Sequence, residues 1–175
     1  LFSSKNIVRI LESHNSLTGL IIENLKINKK DKNLEFDGMW SSSLTDSATR
    51  GLPDNSSLSF SARISSLNDL MDVTTKPLVF DADNGGQIEH LPYLIRSLER
   101  SGASAIIMED KIGLKKNSLF KNQSGTKQDK PNLFAKKILI NQYKKSPIGP
   151  IKYVIKRGKK TKNFEIENFK LSFTI

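Results

Sequence analysis

A chain of 175 residues with 37% hydrophobic content can bury one substantial core, but it is shorter than the about 250 residues that a full eight-stranded α/β barrel takes. The absence of cysteine excludes disulfides, thiolate metal sites and cysteine nucleophiles, and it fits a reducing cytoplasm. The net charge of +10 is unevenly spread: residues 1–110 carry 11 Lys/Arg against 15 Asp/Glu, whereas residues 111–175 carry 17 against 3. An acidic front and a basic back suit a metal–carboxylate site followed by a basic lid, or a domain joined to an unrelated tail. With no nucleic-acid motif and no apolar run of about 20 residues, neither a specific nucleic-acid partner nor a membrane is expected.

Four short apolar runs recur with helical patterns between them, the signature of βα units. The first, Ile7–Leu11, ends in Glu12-Ser-His-Asn15, and Leu17–Leu25 follows as a short helix. A lysine-rich stretch, Asn28–Asn33, reads as a solvated loop before the second run, Phe36–Trp40, which ends in Ser41-Ser-Ser43. Leu58, Ile64, Leu67, Leu70 and Met71 then form an apolar stripe at helical spacing. The third run, Pro77–Phe80, ends in Asp81-Ala-Asp83. A second stripe, Ile88 through Leu98, stops at Gly102, and the fourth run, Ala105–Met108, ends in Glu109-Asp110-Lys111.

Beyond Lys111 the chain is polar and glycine-punctuated until Pro131, where a helix with Leu133, Phe134, Ile138 and Leu139 on its apolar face is predicted. Past Pro147 the residues alternate, as in Ile151, Tyr153, Ile155 and then Phe164 to Phe173, so two strands around a turn at Gly158–Asn163 are predicted. The division expected is a partial (β/α) barrel over 1–145, about four βα units, and a divergent basic segment over 146–175 containing a β-hairpin.

In parallel α/β architectures ligands bind beyond the carboxyl ends of the strands, so these four polar clusters should converge on one site. Asp81 and Asp83 fall on one side of an extended segment, about 7 Å apart, and can face one hard cation. Asn84-Gly85-Gly86 lets the backbone approach a ligand closely. Glu109 and Asp110 add oxygen donors at the next strand end, which favours Mg²⁺ or Mn²⁺ over Zn²⁺.

The stretch Glu109-Asp-Lys-Ile-Gly-Leu-Lys-Lys-Asn-Ser118 resembles the signature of the phosphoenolpyruvate mutase family, within the isocitrate lyase superfamily of TIM-type barrels. Glu12-Ser-His-Asn15, Gly38-Met-Trp-Ser-Ser-Ser43, Asp54 after Gly51-Leu-Pro53, and Asp81-Ala-Asp83 agree with it in order and spacing. The resemblance implies a magnesium-dependent isomerase that interconverts phosphoenolpyruvate and phosphonopyruvate, the carbon–phosphorus bond-forming step of phosphonate biosynthesis. It implies Asp81, Asp83 and Glu109 as Mg²⁺ ligands, some of them through water. Trp40, Ser42 and the backbone at Ser43 would hold the substrate carboxylate, although the family usually has glycine where Ser43 stands. Asp54 would sit near the transferring phosphoryl group, and Lys115, Asn117 and Ser118 would lie on a gating loop that closes over it. Family members commonly form homo-oligomers.

The resemblance fades near Lys145, and the family's arginine and histidine from strands five and six are not found. The isolated chain, which also begins without methionine, is therefore expected to be incomplete and weakly active or inactive as a mutase. Two other readings stay open: a phosphonopyruvate hydrolase or carbon–carbon lyase on a related 2-oxo acid, and a non-catalytic fragment.

Overall fold

The computed structural model describes residues 7–29, 32–113, 115–117, 127–142, 152–156, 165–166 and 169–170. Strand β1 (Ile10–Glu12) leads to helix α1 (Ser16–Asn24), which starts where a capping box can form. Asn15 Oδ1 accepts from the Thr18 amide at 2.9 Å, and Thr18 Oγ1 accepts from the Asn15 amide at 3.2 Å. Strands β2 (Lys26–Lys29) and β3 (Lys32–Glu35) come next, then β4 (Gly38–Ser41), α2 (Ser43–Ala48) and α3 (Phe60–Met71). After these run β5 (Leu78–Asp81), α4 (Leu91–Arg100) and β6 (Ala105–Glu109). The remainder comprises β7 (Lys111–Ile112), β8 (Lys127–Gln128), α5 (Pro131–Gln142), β9 (Lys152–Lys156), β10 (Glu165–Ile166) and β11 (Phe169–Lys170).

The main sheet has the order β1-β4-β5-β6-β9, with every pair parallel. Parallel strands that neighbour one another in chain order, with helices between them, trace an arc of a barrel wall. The four apolar runs are its first four strands. Alternation along them separates two faces. Met39, Leu78, Phe80, Ile106 and Met108 are all at most 1% exposed and pack in one cluster with Ile22, Leu67, Leu70, Leu91, Leu98 and Phe134 from the helices. The opposite face presents Glu12, Trp40, Val79, Asp81, Ile107 and Glu109, with Trp40 in register between Glu12 and Val79. The sheet thus turns its apolar side to the helices and its polar strand tips to the barrel interior. β4 and the start of β5 approach so closely that a Cβ on Gly38 would lie 2.7 Å from the Pro77 carbonyl oxygen. Gly102, at φ +86°, ends α4 with its amide on the Glu99 carbonyl at 3.1 Å.

Three expectations are corrected. The lysine-rich stretch is not a loop but part of an antiparallel hairpin, β2 with β3, in which Ile27 pairs with Leu34 and Lys26 with Glu35. Strand Lys152–Lys156 does not join a terminal hairpin; it lies parallel beside β6 as the fifth strand of the main sheet. The short β10 and β11 pair with each other, and the turn expected at Gly158–Asn163 lies outside the described residues. Leu133 is 51% exposed, so α5 packs through Phe134 and Ile138. Among the described residues no helix is long and apolar enough to cross a membrane.

At the end of the sheet opposite the strand tips, Glu23 of α1 staples the loop before β5. It accepts from Thr74 Oγ1 at 2.6 Å, Thr75 Oγ1 at 2.7 Å and the Thr75 amide at 3.1 Å. These bonds, Thr74's first, lower its pKa from 4.5 to about 2. The folded value lies below the unfolded one, so the stabilisation is complete above about pH 4.5 and is lost as the pH falls towards 2. Glu23→Gln should cost about 1 kcal/mol at pH 7, a figure reduced by solvent screening. Thermal melts of the two proteins should draw together below pH 4.5 and converge only near pH 2.

Candidate functional site

The tips of β5 and β6 are laced together by main-chain bonds. The Ala82 amide donates to the Ile107 carbonyl at 2.9 Å and the Glu109 amide to the Asp83 carbonyl at 2.7 Å. Asp81 ends β5, and its Oδ1 accepts from the Asp83 amide at 3.0 Å, an Asx turn that lets Asp83 adopt φ +51°. Ala82 is buried in the core between them. Gly85, at φ +77°, packs under Met108, whose Cε would lie 2.6 Å from an added Cβ. Lys137 of α5 reaches back to donate to the carbonyls of Asn84 and, at 2.9 Å, Gly86, which clamps this turn.

Ser41, Ser42 and Ser43 at the tip of β4 are all buried. Ser43 Oγ donates to Asp81 Oδ2 at 3.3 Å and accepts from Lys115 Nζ at 2.8 Å. The same ammonium pairs with Asp54 and Asp83. Ser43, Asp54, Asp81, Asp83 and Lys115, spread over 73 positions of the chain, therefore form one connected network. Glu109 lies beside it, paired with Lys111 at 2.6 Å, and Asp83, Glu109, Lys111 and Lys115 line one cavity with Ser56 and Asn84. Asn117 follows Lys115 and is partly buried, whereas Ser118 lies outside the described residues. Trp40 faces the barrel interior, and its indole N–H is a buried donor with no acceptor among the described residues.

Burial pushes the Asp81 carboxyl above its ordinary range, against the opposing effect of the Asp83 amide bond. For Lys115, burial disfavours the ammonium, but the bonds to Asp54 and Asp83 outweigh it and raise the pKa above 10.5. Since the folded pKa is the higher one, these ion pairs persist through the neutral range and are lost only in strong alkali. Among the described residues no group of three or more acidic or histidine side chains is arranged to hold a metal ion by itself. The cation seated among the strand-tip acids is the Lys115 ammonium.

Two residues central to this rim, Arg63 and Asp46, are not among those expected from the sequence. Arg63 Nε pairs with Asp46 Oδ2 at 2.8 Å, and both side chains are almost wholly buried. A readable signal existed: Arg63 falls four residues before Leu67, on the apolar face of α3.

The family model described as phosphoenolpyruvate phosphomutase matches residues 1–145. The chain belongs to this family. Phosphoenolpyruvate phosphomutase from Tetrahymena pyriformis is 32% identical over 120 residues, 68% of this chain and 37% of that protein. Phosphonopyruvate hydrolase from Variovorax sp. (strain Pal2) is 33% identical over 110 residues, 62% of this chain and 38% of that protein. Of solved structures, phosphoenolpyruvate phosphomutase from Streptomyces platensis subsp. rosaceus superposes with a TM-score of 0.75 at 26% identity, covering 89% of this chain and 50% of that one. A phosphonopyruvate hydrolase solved with oxalate and Mg²⁺ has a TM-score of 0.68 at 23% identity, over 86% and 47% of the two chains. The fold is accordingly part of an α/β barrel, and the matched region spans less than two fifths of the curated relatives and about half of the solved ones.

Proposed function

We propose that this chain carries the carboxylate- and metal-binding half of a phosphomutase that interconverts phosphoenolpyruvate and phosphonopyruvate. The observation that carries the reading is Lys115, delivered by the segment after β6 into an acidic cluster at the tips of β4 and β5. A segment anchored in this way can shield the site from water, as transfer through a loose metaphosphate-like state requires.

The donor set is oxygen-only and already accommodates a cation, which fits a hard divalent ion. Asp81, Asp83 and Glu109 would hold Mg²⁺, partly through water, once Lys115 releases Asp83. When bound, the ion supplies positive charge against the pyruvate enolate oxygens. The remaining work falls to this chain's own groups. The unpaired indole N–H of Trp40 and the Ser42 hydroxyl orient the substrate carboxylate. Asp54 keeps Lys115 at the phosphoryl position, and Asn117 and Ser118 donate to the migrating oxygens.

The family contains relatives of both kinds at nearly equal identity, one a phosphomutase and one a hydrolase. The Asn117-Ser118 pair eight residues beyond Glu109 favours the mutase. Phosphorus NMR of phosphonopyruvate with Mg²⁺ should show at most slow formation of phosphoenolpyruvate by the isolated chain, and any such conversion should be lost in Asp81→Ala. Phosphate with pyruvate would make the chain a hydrolase, and turnover that survives Asp81→Ala would overturn the metal assignment.

A further inference from the structure

We infer that Arg63 is a positioning residue: its guanidinium holds the tips of β4 and β5 in register and so sets the geometry of the acidic rim. The inference deepens the proposed reading of the site as one for a divalent cation and rests on it for its consequence, though not for its geometry.

Arg63 is 2% exposed, so it has no role at the surface. Its three nitrogens each serve a different element. Nε pairs with Asp46 of α2 at 2.8 Å, Nη1 donates to the Asp81 carbonyl at 2.6 Å, and Nη2 donates to the Ser41 carbonyl at 3.4 Å. Asp46 Oδ2 also accepts from Ser41 Oγ at 3.0 Å, which closes the loop back to β4. The guanidinium stacks over Phe80, 4.3 Å from the ring centre, and Nη1 stands 4.0 Å from Asp83 Oδ2. Both carboxylates of the Asp81-Ala-Asp83 motif therefore depend on it, one through its own main chain and one through charge.

Packing alone does not account for this arrangement. Taking two charges out of water is costly, and a well-packed apolar pair of similar volume generally stabilises as well or better. What the apolar pair cannot supply is a rigid planar fork that triangulates two strand tips and a helix. The charge pair is thus explained by the order it imposes on residues 41–43 and 81–83.

The test replaces the pair by apolar residues, Asp46→Leu with Arg63→Met, so that no buried charge is orphaned. The double variant should melt within a few degrees of the parent. Amide hydrogen exchange over residues 78–86 should nonetheless accelerate about tenfold, and Mn²⁺, titrated alone, should bind about tenfold more weakly. Parental exchange rates at 78–86, or parental Mn²⁺ affinity, in a folded double variant would overturn the inference. Should the double variant fail to fold, Arg63→Lys keeps the charge opposite Asp46 but removes the fork. It should show the same faster exchange, and unchanged exchange would again be decisive against the inference. If the parent itself binds no Mn²⁺, the metal reading falls, while the exchange comparison still decides the role of Arg63.

Discussion

Arg63→Met on its own should lower folding stability by about 3–5 kcal/mol, far more than the paired replacement with Asp46→Leu. The single change strands the Asp46 carboxylate, 3% exposed, with only the Ser41 hydroxyl to replace a full positive charge. It also leaves the Asp81 and Ser41 carbonyls without the guanidinium. Adding Asp46→Asn to Arg63→Met should recover a large part of the loss, because the orphaned charge is the main penalty. Urea titrations read by the single tryptophan, Trp40, measure both effects. A loss below about 1 kcal/mol for the single variant would mean that Asp46 finds water or another partner, and that the pair is not a buried unit.

The arc of strands was legible because strands covered on both faces of a parallel sheet read as unbroken apolar runs. Leu78–Phe80 and Ala105–Met108 did so, and the acids ending them pointed to the candidate site. One local signal was legible as well: Gly102, read as a helix stop, ends α4 within two residues. What escaped was long-range. The residues around Lys115 do not by themselves announce Asp54, 61 positions earlier, which the family resemblance alone brought to the same phosphoryl site, and nothing near Asp46 announces Arg63, 17 positions later. The alternation Tyr153, Ile155 marked a strand but not its neighbour, since pairing with β6 is set across more than 40 residues of chain. The β2–β3 hairpin was hidden by composition, because lysines on an exposed ladder carry no burial pattern although Ile27 and Leu34 still pair across it.

The burial of Asp81 should make its charge a burden to the fold. Its folded pKa is raised above the unfolded 3.8 by burial, so ionising it in the folded chain is harder than in the unfolded one. The penalty is absent below that unfolded value and grows as the pH rises from it towards the raised folded value, above which it is complete. Asp81→Asn removes the charge yet keeps an oxygen for the Asp83 amide, and its new amide group can donate to Ser43 Oγ. The variant should therefore melt a few degrees higher than the parent at pH 7, with the gain vanishing towards pH 3. The same change removes one of the three proposed metal ligands. Changing a group that merely orients a ligand costs 10–100-fold in metal affinity, so losing the ligand itself should weaken Mn²⁺ binding by about 100-fold or more. Calorimetric melts across pH and Mn²⁺ titrations on one pair of proteins test both halves. A variant that gains no stability would show that Asp81 is already compensated by Arg63 and Lys115, and one that binds Mn²⁺ normally would remove Asp81 from the metal site.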